Sequence, residues 1–328
     1  ENPRALSITV PPDVCTFGEL HFFENMVDAE TVRLRPAWPE SRRIALVERL
    51  ISSSREGVFA RAMPGKYRDD AQKICAAATS DDPISAYESF IHYETTRRGK
   101  SIPCEQTPRY LFFAEEILEA FPDARIINIV RDPRDVLLSQ KYRWRRRRLG
   151  AASIPRWEAF RSWFNYHPYA ITRLWVSAVS VAGRLANRQR FRSVRFEDLI
   201  VDPSRIVGEL CSFLDIGFSS SLLDVPQLGS STGQDRPEAR GIDATRTGVW
   251  RLGGLSDVEV AICQRAAAGE MEKWGYRPEK MYAAPWKVWL RMAVLPIQMM
   301  LALLLNWHRT TNLWQSLGRR IHPRRDAL

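Results

Sequence analysis

The run RDPRDVLLS at residues 131–139 joins a cationic side chain to a helix start. It follows the β-branched run 124–130, which predicts a buried strand. The guanidinium of Arg131 can bind a phosphate in a forked geometry at the start of the helix, where backbone N–H groups are free. The hydroxyl of Ser139, two turns further on, can add a donor. The alternative is structural: Arg131 pairs with Asp135 or Asp132 of the same run as a salt bridge.

The elements around this run follow the order strand, turn, helix. Asp132 can cap the helix, and Pro133 suits its first position because the missing N–H costs nothing there. The same order recurs at the strand 191–196, which is followed by Asp202 and Pro203 as a second cap and first residue. Two such units predict an α/β fold with a parallel sheet and covering helices. Further expected elements are an edge or irregular strand at 101–105 and helices within 70–98, 114–121 and 156–189.

Three ordered blocks of the chain resemble the sulfotransferases that use 3′-phosphoadenosine 5′-phosphosulfate (PAPS). The first block is RDPRDVLLS, and the second begins with FEDL at residue 196 and continues through DP to CSFL. The third is RTGVWR at 246–251, closed by MEKWGY at 271–276. The resemblance covers residues 12–278. It implies a three-layer α/β fold like that of the P-loop NTPases, with a central parallel sheet flanked by helices.

The resemblance implies roles for five residues on the donor side. Arg131 and Ser139 correspond to the pair that holds the 3′-phosphate of PAPS and of its product PAP. Arg246 and Gly248 correspond to residues that contact the same phosphate. Thr247 stands where some members of the family carry Lys.

On the acceptor side, GELHFF at 18–23 resembles the NExHFF segment of the heparan-sulfotransferase-like branch, in which the Glu is the general base. Glu19 is therefore the candidate base, because a carboxylate within hydrogen-bond reach can take the proton of an attacking hydroxyl. His21 is the alternative base. In the structural interpretation Glu19 is a loop carboxylate, and His21 is a buried histidine beside Phe22 and Phe23.

Two features depart from the family pattern. Gln106 stands where the family has a Lys near the sulfuryl group, and an amide can orient an acceptor but supplies no positive charge. The glycine- and serine-rich loop that wraps the 5′-phosphosulfate is not found in residues 1–17. Either the chain is N-terminally truncated or it is a degenerate member that binds the cofactor poorly. We expect the first, a truncated sulfotransferase domain at 1–280, followed by an apolar and basic helical tail at 281–328.

Composition restricts the partners only in part. The formal net charge of +10 over 328 residues favours an anionic partner, without distinguishing nucleic acid, anionic lipid, a phosphorylated cofactor or an acidic polysaccharide. The five scattered cysteines predict reduced thiols, and the five histidines lack ligand-like spacing, so no metal is expected. The N-terminal residues lack a signal-peptide pattern, which favours a cytoplasmic location.

Two further segments carry charge or apolar surface. The basic run 141–148 is predicted to continue the helix after Ser139 as a solvated face. The apolar stretch 288–307 is marginal for a spanning helix, and its tryptophan flanks suit an interfacial helix. Peripheral membrane contact through 286–314 is one expectation. Packing on the domain or against a second subunit, as in a homodimer, is the other.

The resemblance implies an enzyme that moves a sulfuryl group from PAPS to a hydroxyl or amine of an acceptor. The GELHFF segment favours a glycan or lipid-linked carbohydrate as that acceptor. No nucleic-acid fold signature accompanies the basic run. The alternative function is that of a non-catalytic basic α/β protein that binds nucleic acid or an anionic membrane.

Overall fold

The computed structural model describes residues 11, 13–59, 63–229, 231–233 and 235–306. The chain divides into two compact units. The first unit comprises Glu1–Ile126 and Leu210–Leu222, and the second comprises Ile127–Glu209 and Leu223–Leu328.

The first half of the described chain contains two strands and six α-helices. In chain order these are β1 (Val14–Phe17), α1 (Phe22–Asn25), α2 (Ala29–Leu34), α3 (Glu40–Glu56), α4 (Arg68–Ala76), α5 (Pro83–Arg97), β2 (Ile102–Glu105), the 3-10 helix Pro108–Phe113 and α6 (Ala114–Ala120). The strands β1 and β2 pair in parallel, with Val14 opposite Ile102 and Phe17 opposite Glu105.

The core of the first unit is built on aromatic side chains. Phe22 and Phe23 are buried, and the ring of Phe22 stacks on Tyr87 with centroids 4.1 Å apart. Val47 and Leu50 of α3 are fully buried beside them because their spacing keeps both side chains on one face of the helix. This core fixes the loop between β1 and α1, which carries Glu19 and His21.

The second half of the chain begins at the next strand. Its elements are β3 (Ile126–Val130), α7 (Pro133–Tyr142), the 3-10 helix Arg143–Arg148, α8 (Arg156–Phe164), α9 (Pro168–Leu185), β4 (Phe191–Arg195), α10 (Phe196–Val201), α11 (Pro203–Leu214), β5 (Pro226–Gln227), β6 (Arg236–Arg240), α12 (Asp257–Lys273), α13 (Pro285–Ala293) and α14 (Leu295–Asn306). Short 3-10 helices cover Ser220–Leu223, Ala244–Arg246 and Val249–Leu252.

Local signals explain the helix starts of the second unit. Asp132 caps α7 by accepting the N–H of Arg134, and Pro133 occupies the first helical position. Helix α12 begins with a capping box, in which Ser256 and Glu259 satisfy each other's backbone N–H. The strands β3 and β4 form a two-stranded sheet, and β5 and β6 pair antiparallel.

The α/β class is confirmed, and the predicted strands appear as β2, β3 and β4. The helices expected within 70–98, 114–121 and 156–189 are present as α4 to α6, α8 and α9. The sequence interpretation missed β1, β5 and β6. The described residues form three two-stranded sheets, and the parallel pairing is seen for β1 with β2.

One local prediction was wrong. The basic run does not continue α7, which ends at Tyr142 and is followed by the 3-10 helix Arg143–Arg148. In a continued α-helix, arginines three and four residues apart would repel each other along one face. In the observed turn Arg147 instead donates a hydrogen bond to the carbonyl oxygen of Ala152 at 2.9 Å.

The described part of the predicted tail forms α13 and α14, and residues 307–328 lie outside the described residues. The segment Pro285–Leu305 is long and apolar enough to cross a membrane by length and composition. The tail prediction for 286–314 is therefore described only as far as residue 306.

Candidate active site

Arg131 lies between the end of β3 and the start of α7, as the sequence predicts. Its Nη2 donates to the carbonyl oxygen of Arg246 at 2.5 Å and lies 3.6 Å from a carboxylate oxygen of Asp135. The guanidinium carbon sits 4.6 Å from the ring centroid of Phe196. The Nε of Arg131 is buried and has no hydrogen-bond partner among the described residues. The side chain thus keeps one free donor in a confined position.

The neighbouring Arg134 has a different role. Its side chain is fully buried, and its Nε and Nη2 donate to Asp132 at 2.9 and 2.7 Å. Its Nη1 donates to the carbonyl oxygen of Arg277 at 3.0 Å. Within RDPRD the short ion pair is therefore made by Arg134 and Asp132 at 2.7 Å, whereas the ion pair of Arg131 with Asp135 is longer, at 3.6 Å.

Asp135 anchors the turn that carries the third sequence block. Its carboxylate, which is fully buried, accepts the N–H of Gly248 at 2.8 Å and the N–H of Trp250 at 3.0 Å. Gly248 has φ +66°, a left-handed conformation that a residue with a Cβ adopts at a cost. These bonds hold the carbonyl oxygen of Arg246 against Arg131. They also mean that the N–H of Gly248 already has an acceptor.

Arg246 itself is held by an acidic neighbour. Its Nε donates to Asp243 at 2.8 Å, and its side chain is 28% exposed. Hydrogen bonds from Thr245 and Arg246 lower the pKa of Asp243. Thr247 follows in an extended conformation and is half-buried. Arg246 therefore lies beside Arg131 with part of its guanidinium accessible.

Ser139 lies within α7, where its Oγ is 3.3 Å from the Oγ of Ser231. Ser231 is buried. The structure therefore joins Arg131 directly to the backbone of Arg246, and Asp135 holds Gly248, two residues further on; Thr247 lies between them in the chain, and Ser139 lies on the helix that starts next to Arg131.

A partly buried carboxylate, Glu197, lies at the start of α7 and was not singled out by sequence reasoning. Glu197 accepts the backbone N–H of Asp132 at 2.9 Å and the hydroxyl of Tyr276 at 2.8 Å. Burial, together with the negative charge of Glu197, raises the pKa of Tyr276 above its usual range. Both residues lie inside the matched FEDL and MEKWGY blocks, which was the available signal.

In the first unit, Glu19 and His21 lie together. The His21 imidazole contacts Glu19 through Nε2 at 3.1 Å and Glu24 through Nδ1 at 2.9 Å. Hydrogen bonds to Glu19 and then Glu24 raise the pKa of His21 to about 9. His21 is thus protonated at neutral pH and donates from both nitrogens. Glu24 was missed, and it also lies 3.8 Å from Nε of Arg109.

His21 adopts a left-handed backbone conformation with φ 56°. Such a conformation costs on the order of 1 kcal/mol for a residue other than glycine. The two carboxylate contacts of the imidazole offset that cost. The backbone conformation of this loop therefore depends on the ion pairs that His21 makes with Glu19 and Glu24.

Glu105 also fixes this loop, through a hydrogen bond from Leu20. This carboxylate accepts the N–H of Leu20 at 3.2 Å, the hydroxyl of Tyr87 at 2.9 Å and the hydroxyl of Thr107 at 2.5 Å. Burial raises the pKa of Glu105. Gln106, the next residue, is exposed. Glu105 is thus a structural anchor, whereas Gln106 is open to solvent.

The described residues contain no group of three or more His, Cys, Asp or Glu side chains arranged to hold a metal ion. All five cysteines are unpaired.

Comparison with known proteins gives a family. The model of the sulfotransferase family matches residues 15–220. Among solved structures, the sulfotransferase domain from the curacin biosynthetic pathway is 18% identical, with a TM-score of 0.43 over 80% of this chain and 89% of that chain. The sulfotransferase domain of the Synechococcus PCC 7002 olefin synthase is 19% identical, with a TM-score of 0.43 over 79% of this chain and 84% of that one.

Sulfotransferase STF9 from Mycobacterium avium is 18% identical, with a TM-score of 0.37 over 83% of this chain and 73% of that chain. No curated protein matches the sequence. The family match alone covers more than half of the chain, and on that ground the protein belongs to the sulfotransferase family.

Proposed function

We propose that this protein transfers a sulfuryl group from PAPS to a hydroxyl or amine of an acceptor, with a carbohydrate or glycolipid as the acceptor class. The observation that carries the proposal is the buried, unpartnered Nε of Arg131 at the start of α7. A buried donor without a partner is costly, and an anion bound there would satisfy it.

The donor set fits a phosphate group. Arg131 would hold the 3′-phosphate with its Nε, and Arg246 would add the accessible part of its guanidinium. Ser139 would contribute its hydroxyl, because its contact with Ser231 is long enough to exchange for a better acceptor. Thr247 would replace the Lys of other members with a neutral donor. A contact from the N–H of Gly248 would require that group to be shared with Asp135.

PAPS would supply the activated sulfuryl group, and the acceptor-side residues would move the proton. A neutral hydroxyl is a weak nucleophile, so a base must take its proton as the new bond forms. His21 cannot serve at neutral pH because it is already protonated, with a pKa raised to about 9 by hydrogen bonds to Glu19 and Glu24. Glu19 is 45% exposed and is the carboxylate left to act as the base.

His21 then acts as a positioning residue. Its Nε2–H fixes one oxygen of Glu19, and its Nδ1–H is fixed in turn by Glu24. Gln106, which is exposed, would orient the acceptor through its amide. No residue of this set needs a metal for its proposed role.

We also propose a detailed fold and a cellular location for this protein. The strands would belong to the three-layer, P-loop-NTPase-like arrangement of the family, in a domain ending near residue 280. The protein would act in the cytoplasm, at or near a membrane.

Transfer of radioactive sulfate from labelled PAPS tests the function. The full-length protein is incubated with labelled PAPS and a panel of glycans, glycolipids and simple alcohols. We expect label in one acceptor class and release of PAP in equal amount. Absence of PAP binding in calorimetry would contradict the assignment of PAPS as the sulfuryl donor. PAP binding without label in any acceptor would contradict the proposed acceptor classes.

A further inference from the structure

Helix α8 exposes an aromatic face in the second unit. Trp157, Phe160 and Trp163 are 52%, 43% and 56% exposed. Their rings are in mutual contact, with centroids 5.4 Å apart for the first pair and 6.0 Å for the second. Large aromatic side chains in a contiguous exposed group mark an interaction site rather than ordinary surface.

Helices α13 and α14 expose a second apolar surface. Trp286 and Trp289 of α13 are 63% and 72% exposed. In α14 four exposed apolar residues fall at spacings of three and four, which places them on one helix face. They are Ile297, Met300, Leu301 and Leu304. This face is apolar, and each of its four side chains is at least 39% exposed.

Hydrogen bonds join the two surfaces. Gln298 lies near the middle of the apolar segment, and its Nε2 donates to the carbonyl oxygens of Phe164 at 2.6 Å and Tyr166 at 2.9 Å. The imidazole of His167 contacts the carbonyl oxygen of Arg291 at 3.1 Å. A spanning helix would carry Gln298 and its backbone partners into hydrocarbon, where polar groups are costly. The segment therefore lies along the unit rather than leaving it.

Arginines flank this apolar surface. A cavity of about 370 Å³ is lined by Trp144, Arg147, Arg148, Arg156 and Ala159. Arg146 is paired with Asp235 at 2.7 Å. The other arginines of this group are not paired in this way: within the described ranges no carboxylate forms an ion pair with Arg143, Arg145, Arg147, Arg148 or Arg156. The group is thus a concentration of uncompensated positive charge beside exposed aromatic rings.

We propose that α8, α13, α14 and the 3-10 helix Arg143–Arg148 form one surface that binds an anionic lipid bilayer peripherally. The aromatic and aliphatic side chains would lie at the boundary of headgroups and acyl chains, where tryptophan is favoured. The cavity lined by arginines would take the phosphate of an acidic headgroup. Charge complementarity selects this occupant, since a nucleic acid would leave the aliphatic face of α14 uncovered.

Vesicle co-sedimentation of the 328-residue chain tests the proposal. The vesicles are phosphatidylcholine, with or without phosphatidylglycerol. We expect binding only to the anionic vesicles. Arg148→Glu with Arg156→Glu should weaken it at least about tenfold, because each residue near an anionic surface contributes on the order of tenfold or somewhat less. Arg184→Glu with Arg188→Glu, which changes two exposed arginines elsewhere in the second unit, should leave it within about twofold.

The apolar part is tested in the same assay. Trp157→Ser with Phe160→Ser should reduce vesicle binding, whereas Val201→Ser with Leu252→Ser should not, although both control residues are more exposed. Circular dichroism establishes that each variant is folded. Equal loss in the control pairs, or equal binding to neutral vesicles, would overturn the proposal. So would a dimer in solution that Trp157→Ser with Phe160→Ser dissociates, or preferential binding of RNA over vesicles. Since PAP binding is measured separately, failure here would leave the proposed transfer unaffected.

Discussion

The acceptor-side cluster of the first unit and the donor-side cluster of the second unit differ in how completely their charges are matched. Around His21 each imidazole N–H has a carboxylate partner. Around Arg131 the nearest described carboxylate is 3.6 Å away and already accepts two backbone N–H groups, and Nε has no partner within the described part of the chain. The first cluster is suited to holding a proton in a fixed place. The second is suited to receiving an anion.

The two clusters also differ in how the chain builds them. The donor side starts from a strand, a capped helix and a proline, all local signals. The acceptor side depends on a left-handed residue, His21, and on the partly buried carboxylate of Glu105, which lies 85 residues from Leu20. Substitutions in the two clusters should therefore have different consequences.

The largest effect is expected from Glu19→Gln. Loss of the base should lower kcat by roughly 10³-fold, within the usual range for general-base catalysis, while PAP affinity changes little. The measurement is sulfate transfer from labelled PAPS at saturating donor. Glu30→Gln, an exposed carboxylate of the same unit, is the matched control and should retain normal kcat. Retention of activity in Glu19→Gln would show that the acceptor-side cluster does not perform proton transfer.

Arg131→Ala should weaken PAP binding by roughly 100-fold, because a bound phosphate loses a charge-assisted fork in a confined position. Arg131→Lys should recover only part of the affinity, since an ammonium cannot reproduce the fork. Titration calorimetry measures both. The control is Arg192→Ala, which removes an exposed arginine of the same unit that pairs with Glu209. Equal losses in Arg131→Ala and Arg192→Ala would mean that only net charge matters.

The acceptor-side cluster should make the free energy of unfolding depend on pH. The pKa of His21 is raised from 6.5 to about 9 by Glu19 and Glu24, so the folded state holds this proton more tightly than the unfolded chain. The resulting stabilisation is complete below pH 6.5 and is lost as the pH rises through about 9. Allowing for partial exposure, it amounts to about 2 kcal/mol.

Chemical denaturation at pH 6 and pH 9.5, roughly the two ends of that transition, measures it. His21→Asn should remove most of this difference. An unchanged difference in His21→Asn would place the titrating group elsewhere.

The smallest effect is expected from Ser139→Ala. Removal of one neutral hydroxyl donor should weaken PAP binding by about fivefold, the usual scale for a single hydrogen bond. Ser153→Ala, at an exposed position of the same unit, should leave the affinity unchanged. Unchanged affinity in Ser139→Ala would remove Ser139 from the donor side and leave Arg131 and Arg246 as its charged members.

The sequence predicted the parts of the molecule that depend on near neighbours. The strand, cap and helix at 126–142 follow from β-branched residues, Asp132 and Pro133, which act within a few positions. The hydrogen bond between Asp135 and Gly248 joins residues 113 positions apart, and neither segment alone predicts it. The pairing of Arg134 rather than Arg131 with Asp132 depends on the three-dimensional placement of two equivalent side chains.

The protonation of His21 likewise required the folded loop. The sequence offered Glu19 and His21 as alternative bases, and the contacts of the folded loop, from His21 to Glu19 and to Glu24, separate them. The end of α7 at Tyr142 was missed because helix periodicity does not weigh the mutual repulsion of six closely spaced charges, Lys141 among them.

The central claim is that the unpartnered donor of Arg131 binds the ribose phosphate of the donor nucleotide. A crystal structure of the full-length protein with PAP tests this most directly. The account predicts a 3′-phosphate oxygen about 2.8 Å from Nε of Arg131, with the contact of Nη2 to Arg246 retained or exchanged for the phosphate. A nucleotide bound elsewhere, with this Nε still lacking an acceptor, would contradict it.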